Sequence, residues 1–191
     1  MNKSQTSDKT GGSMSSAEKY IPQYTREDYR IWEGDWQLIE GVAVSMSPSP
    51  NGRHELAVSR LARLIGNSLD GQESKCEVYA GLDWIVNDET VVRPDVMVVC
   101  GGQPEGHLEK PPVLVAEVLS PSTWQLDTDT KRRIYKDNGV SVYMIVDTDL
   151  KSIEVIDFRS ENSATIQGDE SFKISLADDL TIEILAEKIF R

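Results

Sequence analysis

The chain has 191 residues, 39% of them hydrophobic and 27% charged, which suits one domain of ordinary size with its own core. Two cysteines, Cys76 and Cys100, exclude a disulfide-rich scaffold, and no apolar run reaches the ~20 residues a membrane span needs. The formal net charge of −12 excludes a non-specific nucleic-acid coat, but not an enzyme on nucleic acid, because metal ions offset active-site carboxylates.

Residues 1–19 are rich in Ser, Thr, Lys and Gly and lack hydrophobic periodicity, which predicts a disordered tail before a single domain over 20–191. The opening residues contain no apolar h-region, so no secretory leader is expected. Reduced thiols in a cytoplasmic protein follow as the expectation for Cys76 and Cys100.

Thr25 before Arg26-Glu27-Asp28 predicts an N-capped short helix over 25–33. Trp36–Glu40 and Val42–Met46 flank Gly41 as a hairpin, and Ser47–Gly52 is a loop by composition. Leu56, Leu61, Leu64, Ile65 and Leu69 recur at near-helical spacing and predict an amphipathic helix over 53–69, with Arg53, Arg60 and Arg63 between them. Strands follow at 76–79, 82–86 and 91–100, the last interrupted by Pro94. Val113–Leu119 reads as a buried central strand. A helix over 126–138 stops at Gly139, strands cover 141–147 and 153–158, and one or two weaker strands lie within 164–176. A short helix near 184–190 closes the chain. This order lacks regular βαβ alternation and predicts a mixed sheet flanked by helices.

Three features break the hydrophobic pattern. Glu117 interrupts an apolar strand in which residues 113, 115, 117 and 119 share one face. A carboxylate there is costly unless it is paired, holds a metal or reaches solvent at the strand end. Asp95 interrupts Val91–Val99, where the bland reading is a turn cap or a salt bridge with Arg93. Adjacent strands could bring the two acids together, and close carboxylates call for a cation between them. Mg²⁺ suits such a pair, although a glycosidase pair would look similar. Finally, Asp127, Lys131 and Tyr135 share one helix face; Lys131 could orient water at the carboxylates, or merely form a surface pair with Asp127.

The ordered set Arg93-Pro94-Asp95-Val96, Glu117-Val118-Leu119-Ser120-Pro121-Ser122-Thr123, Asp127, Lys131, Tyr135, Gly139-Val140, Tyr143 and Asp147 resembles the Uma-two family of the PD-(D/E)XK, restriction-endonuclease-like superfamily. Leu38-Ile39-Glu40-Gly41, the Pro48–Pro50 loop and His54 fit as well, so the resemblance covers about 24–158. It implies a restriction-endonuclease-like core, a central mixed β-sheet flanked by helices, with an N-terminal helix and hairpin. It also implies that Asp95, Glu117 and the Val118 backbone carbonyl bind Mg²⁺, with Mn²⁺ as a substitute. Lys131 takes the place of the motif lysine, because Leu119 stands two residues after the second acid. Glu40 is placed near the metal and His54 on phosphate. Gln37 departs from the family pattern, which usually has Glu there. Asp147 ends a strand and is read as fixing the following turn.

The expected activity is metal-dependent hydrolysis of DNA phosphodiester bonds, and a homodimer is expected because cutting a duplex takes two sites. Two rivals remain at this point: a non-catalytic member of the same fold that binds nucleic acid, and a metal-free carboxylate-pair hydrolase of another substrate. Trp32, Trp36 and Trp84 read as packing residues, and Trp124 stands out because it sits in the loop just after the strand that carries Glu117.

Overall fold

The computed structural model describes residues 22–46, 51–177 and 179–191; the tail over 1–19 and residues 47–50 of the proline-rich loop lie outside these. Helix α1 (Arg26–Tyr29) is shorter than expected and is closed by a capping box, with Thr25 and Asp28 each accepting from the other's N–H. Strands β1 (Trp36–Ile39) and β2 (Val42–Ser45) form the expected hairpin. Glu40 and Gly41 at its turn have φ of 50° and 80°, the left-handed pair that matches the twist of the flanking strands.

Helix α2 (Gly52–Asp70) begins at Asn51, whose side-chain oxygen accepts from the N–H groups of Arg53 and His54. It buries Ala57, Val58, Leu61, Ile65 and Leu69. Leu56 belongs to the opposite side and is exposed, contrary to its place in the predicted stripe.

Strands β3 (Cys76–Ala80), β4 (Trp84–Asn87), β5 (Thr90–Val92) and β6 (Val96–Cys100) come next. The single interrupted strand expected over 91–100 is two strands in two sheets. β5 pairs with β1 and β4, whereas β6 pairs with β3. Pro94 has no N–H to donate, so the ladder breaks there and the chain passes from one sheet to the other. Strand β7 (Leu114–Val118) is buried throughout. A π-helical segment (Leu126–Lys131) runs into α3 (Arg132–Asp137). Gly139 ends it at φ 88°, where an added Cβ would lie 3.5 Å from Pro111.

Strands β8 (Val142–Asp147), β9 (Ser152–Asp157), β10 (Asn162–Gln167), β11 (Ser171–Ala177) and β12 (Leu180–Leu185) precede the four-residue α4 (Glu187–Phe190). The expected terminal helix thus begins later. Leu180, Ile182 and Ile184 alternate inward from β12, a period of two rather than a helical one.

The central sheet runs β10-β9-β8-β7-β6-β3, with β7 and β8 parallel and all other neighbours antiparallel. On one face, Val96, Val98, Leu114, Ala116 and Met144 pack against α2 and the β11–β12 ribbon. On the other, Met97, Val115, Tyr143 and Ile145 pack with Ile134 and Tyr135 of α3 and with the four-stranded sheet β2-β1-β5-β4. This is the mixed α/β architecture expected from the sequence. Among the described residues, no helix is long and apolar enough to cross a membrane.

The cysteines overturn an expectation. Cys76 and Cys100 stand opposite each other on β3 and β6, with Cα atoms 4.0 Å apart, and are joined as a disulfide rather than lying as reduced core thiols. Their separation of 24 residues carries no pairing signal; the strand register supplies it.

Candidate active site

The site grows from strand register. Val96 stands opposite Ala116, Met97 opposite Val115 and Val98 opposite Leu114, so one step further Asp95 meets Glu117. The Val118 N–H donates to Asp95 Oδ2 at 2.7 Å, and the Asp95 N–H donates to Glu117 Oε2 at 3.4 Å. Each carboxylate therefore fastens to the backbone of the other's strand.

Alternation along β7 turns Glu117 toward α3, on the same face as Val115. Glu117 Oε1 accepts from Lys131 Nζ at 2.9 Å and from the Tyr135 hydroxyl at 2.5 Å. Lys131 Nζ also lies 3.1 Å from Asp127 Oδ1, without hydrogen-bond geometry, and that buried oxygen has no hydrogen-bond partner. Asp127 and Lys131 are thus a buried pair, not the exposed one that helix spacing alone allows. The segment that carries both is π-helical, a distortion concentrated at functional sites.

Asp127, Glu117 and Lys131 are only 2–3% exposed. Burial pushes the Glu117 carboxyl up to about 8; Lys131 opposes this, and the Asp127 and Asp95 charges reinforce it. Burial disfavours the Lys131 ammonium, but Glu117, Asp127 and Asp95 outweigh that and raise it above the ordinary lysine value. Lys131 is therefore a fixed positive charge at neutral pH and cannot take a proton from water.

His54, on the first turn of α2, places Nε2 3.2 Å from Asp95 Oδ2. Its Nδ1 is buried 3.5 Å from Glu55 without a hydrogen bond. Burial works against the imidazolium, but Asp95 and then Glu55 prevail and raise its pKa above the usual histidine value.

These groups open onto a cleft of about 480 Å³ between the hairpin, the start of α2, the end of β7 and the π-helical segment. Gln37 lines it, and its Oε1 accepts from the Arg93 N–H at 3.0 Å. The Arg93 guanidinium instead binds Asp83 at 2.6 Å and Asp35 at 3.0 Å. On the opposite wall, Ser120 Oγ lies 3.0 Å from Ser122 Oγ and 2.9 Å from Thr123 Oγ1.

Asp95, Glu117, Lys131 and His54 are thus brought together, and Glu40 is not. Its carboxylate forms a two-pronged pair with Arg133 at 2.8 and 3.0 Å on the surface, outside the cleft. The left-handed turn and the Arg133 partner account for the miss. Val118 engages the site through its N–H, as the donor to Asp95. Asp147 accepts from the Asp149 and Leu150 N–H groups, the turn-fixing role expected of it. Tyr135 and Asp127 complete the cluster, on the helix face that their spacing with Lys131 predicts.

A mixed sheet bearing one carboxylate on each of two neighbouring strands, with a lysine reaching in from the next helix, defines a nuclease-like α/β protein of the restriction-endonuclease class. The chain belongs to the Uma2 family, described as "Putative restriction endonuclease", which matches residues 26–184. It is 31% identical over 145 residues to an uncharacterized protein of Synechocystis sp., covering 71% of this chain and 73% of that one. Its fold is similar to the crystal structure of "a putative nuclease belonging to DUF820" from Anabaena variabilis. That match has a TM-score of 0.71 at 16% identity and covers 87% of this chain and 97% of the other. At that identity the likeness concerns the fold.

Proposed function

We propose that the chain hydrolyses DNA phosphodiester bonds with Mg²⁺ held by Asp95 and Glu117. The observation that carries this reading is the meeting of the two carboxylates at one end of the β6–β7 ladder, open to a cleft. The donor set suits a small hard cation. Among the described residues, no group of three or more His, Cys, Asp or Glu side chains is arranged to hold a metal. Mg²⁺ needs no such cage, since one or two carboxylates with waters and substrate phosphate suffice, and Mn²⁺ would substitute. The bound ion would supply Lewis acidity at the phosphoryl oxygens.

The chain's own groups then divide the remaining work. Lys131, locked between Glu117 and Asp127, presents a constant positive charge to the pentavalent transition state. His54, 3.2 Å from Asp95, contacts a phosphate oxygen. The hydroxyls of Ser120 and Thr123 orient the phosphate from the facing wall. Water attacks phosphorus in line as the opposite ester P–O bond breaks; the attacking water loses its proton to solvent, the leaving oxygen takes one from solvent, and no covalent intermediate forms. Two copies of the chain would serve the two strands of a duplex.

Gln37 favours a second reading, a weakened enzyme that binds nucleic acid. A neutral amide tied to the Arg93 N–H stands on the cleft wall, where an acid would have added a further negative ligand. The deciding experiment titrates the protein with Mg²⁺ or Mn²⁺ and follows cleavage of plasmid and single-stranded DNA, with Asp95→Ala in parallel. Metal-dependent nicking lost in the variant supports the hydrolase. Metal-independent cleavage, or equal cleavage by Asp95→Ala, overturns it, and tight binding without turnover selects the second reading.

A further inference from the structure

We infer that the Trp124 ring is a stacking platform for an unpaired nucleobase beside the bond to be cut, so that the substrate is single-stranded or locally opened DNA. This rests on the hydrolase reading above and names the form of its substrate.

Trp32, Trp36 and Trp84 each have an aromatic neighbour within 6.1 Å. Trp124 has no ring contact among the described residues and is 56% exposed. Packing therefore does not explain it. Its backbone is nonetheless fixed. The Trp124 N–H donates to the Ser120 carbonyl at 3.0 Å, and the Thr128 hydroxyl donates to the Trp124 carbonyl at 2.8 Å. A rigid backbone carrying an open ring has already lost much of the entropy that ordering a platform would cost.

The loop that presents the ring also forms a wall of the catalytic cleft through Ser120 and Thr123. The same loop also lines a hollow of about 310 Å³ that contains Trp124, Pro121 and Leu119, with Asp147 and Asp149 beside them. Asp149 is paired with Arg53 at 2.6 Å and Asp147 accepts from the Asp149 and Leu150 N–H groups, so among the described residues the hollow offers no free cation to a phosphate, whereas a planar neutral ring can enter it. A nucleotide lying across the loop would thus keep its phosphate in the cleft and its base on the indole. Bases inside a duplex are stacked on their neighbours and cannot offer a free face.

The test uses the full chain with Mg²⁺ and a short oligonucleotide, single-stranded or annealed to its complement, cut by wild type, Trp124→Ala, Trp124→Phe and Asp95→Asn. Stacking predicts a KM for the single strand at least about tenfold higher in Trp124→Ala, with kcat little changed and recovery in Trp124→Phe. A second readout is binding without turnover, in EDTA. Wild type should bind the normal oligonucleotide more tightly than one with abasic sites, and Trp124→Ala should not discriminate. If Trp124→Ala keeps the wild-type KM and the abasic discrimination while Asp95→Asn is inactive, the platform is overturned and the hydrolase stands. If wild type neither binds nor cuts either form, both readings fall.

Discussion

Lys131 illustrates how a single side chain acquires its role from burial. On a surface, its pair with Asp127 would contribute a few tenths of a kcal/mol. Buried between Glu117 and Asp127, its ammonium lies 2.9 Å from the one carboxylate and 3.1 Å from the other. Lys131→Ala should lower stability by about 3–5 kcal/mol in urea unfolding, because it leaves buried carboxylates uncompensated. The pH dependence follows from Glu117. Its carboxyl is raised from 4.5 to about 8 in the folded state, so the stability it confers is full below pH 4.5 and is lost as pH rises toward and through 8. In EDTA the melting temperature should therefore fall across that interval. Glu117→Gln should flatten the fall, with the raised His54 leaving a remainder of the same sign. Glu40→Ala should leave cleavage unchanged, since the Glu40 carboxylate is paired with Arg133 at the surface, outside the cleft. The acids Asp95 and Glu117 were legible because each interrupts an apolar strand. Glu40 misled because its family-like position says nothing about which way a left-handed turn sends the side chain.

At the scale of elements, most helices and strands were readable from periodicity, and the failures have identifiable causes. Pro94 marked an interruption, but not that the two halves would join different sheets, because pairing partners are a tertiary property. β12 was missed although Leu180, Ile182 and Ile184 alternate at the strand period, because the stretch runs on into 184–190, which is also compatible with a helix. Gly139 was read correctly as a helix stop. Gly139→Ala should destabilise the fold by about 1 kcal/mol or more, because a side chain is strained at φ 88°. Thermal unfolding would register the loss. The effect on cleavage should be small, since α3 remains anchored by Ile134 and Tyr135.

At the scale of the whole molecule, the disulfide closes a loop of 24 residues that contains β4, β5 and Asp95. Reduction, or Cys76→Ser with Cys100→Ser, should lower stability by about 3 kcal/mol in the chain-entropy account. Comparing urea midpoints with and without reductant measures it. Nothing in the composition announced this bond, since two cysteines spaced this way suit free thiols equally well. The reciprocal fastening of Asp95 and Glu117 has a further consequence for how the molecule ages and fails. Because the pair is an extension of the β6–β7 ladder, its backbone positions are set by strand register, and each side chain is then held by a hydrogen bond with the facing strand. A slip of one residue along the ladder would send one acid to the opposite face. Activity should therefore disappear in a single step, in time with amide exchange along β6 and β7, while the rest of the protein still looks native.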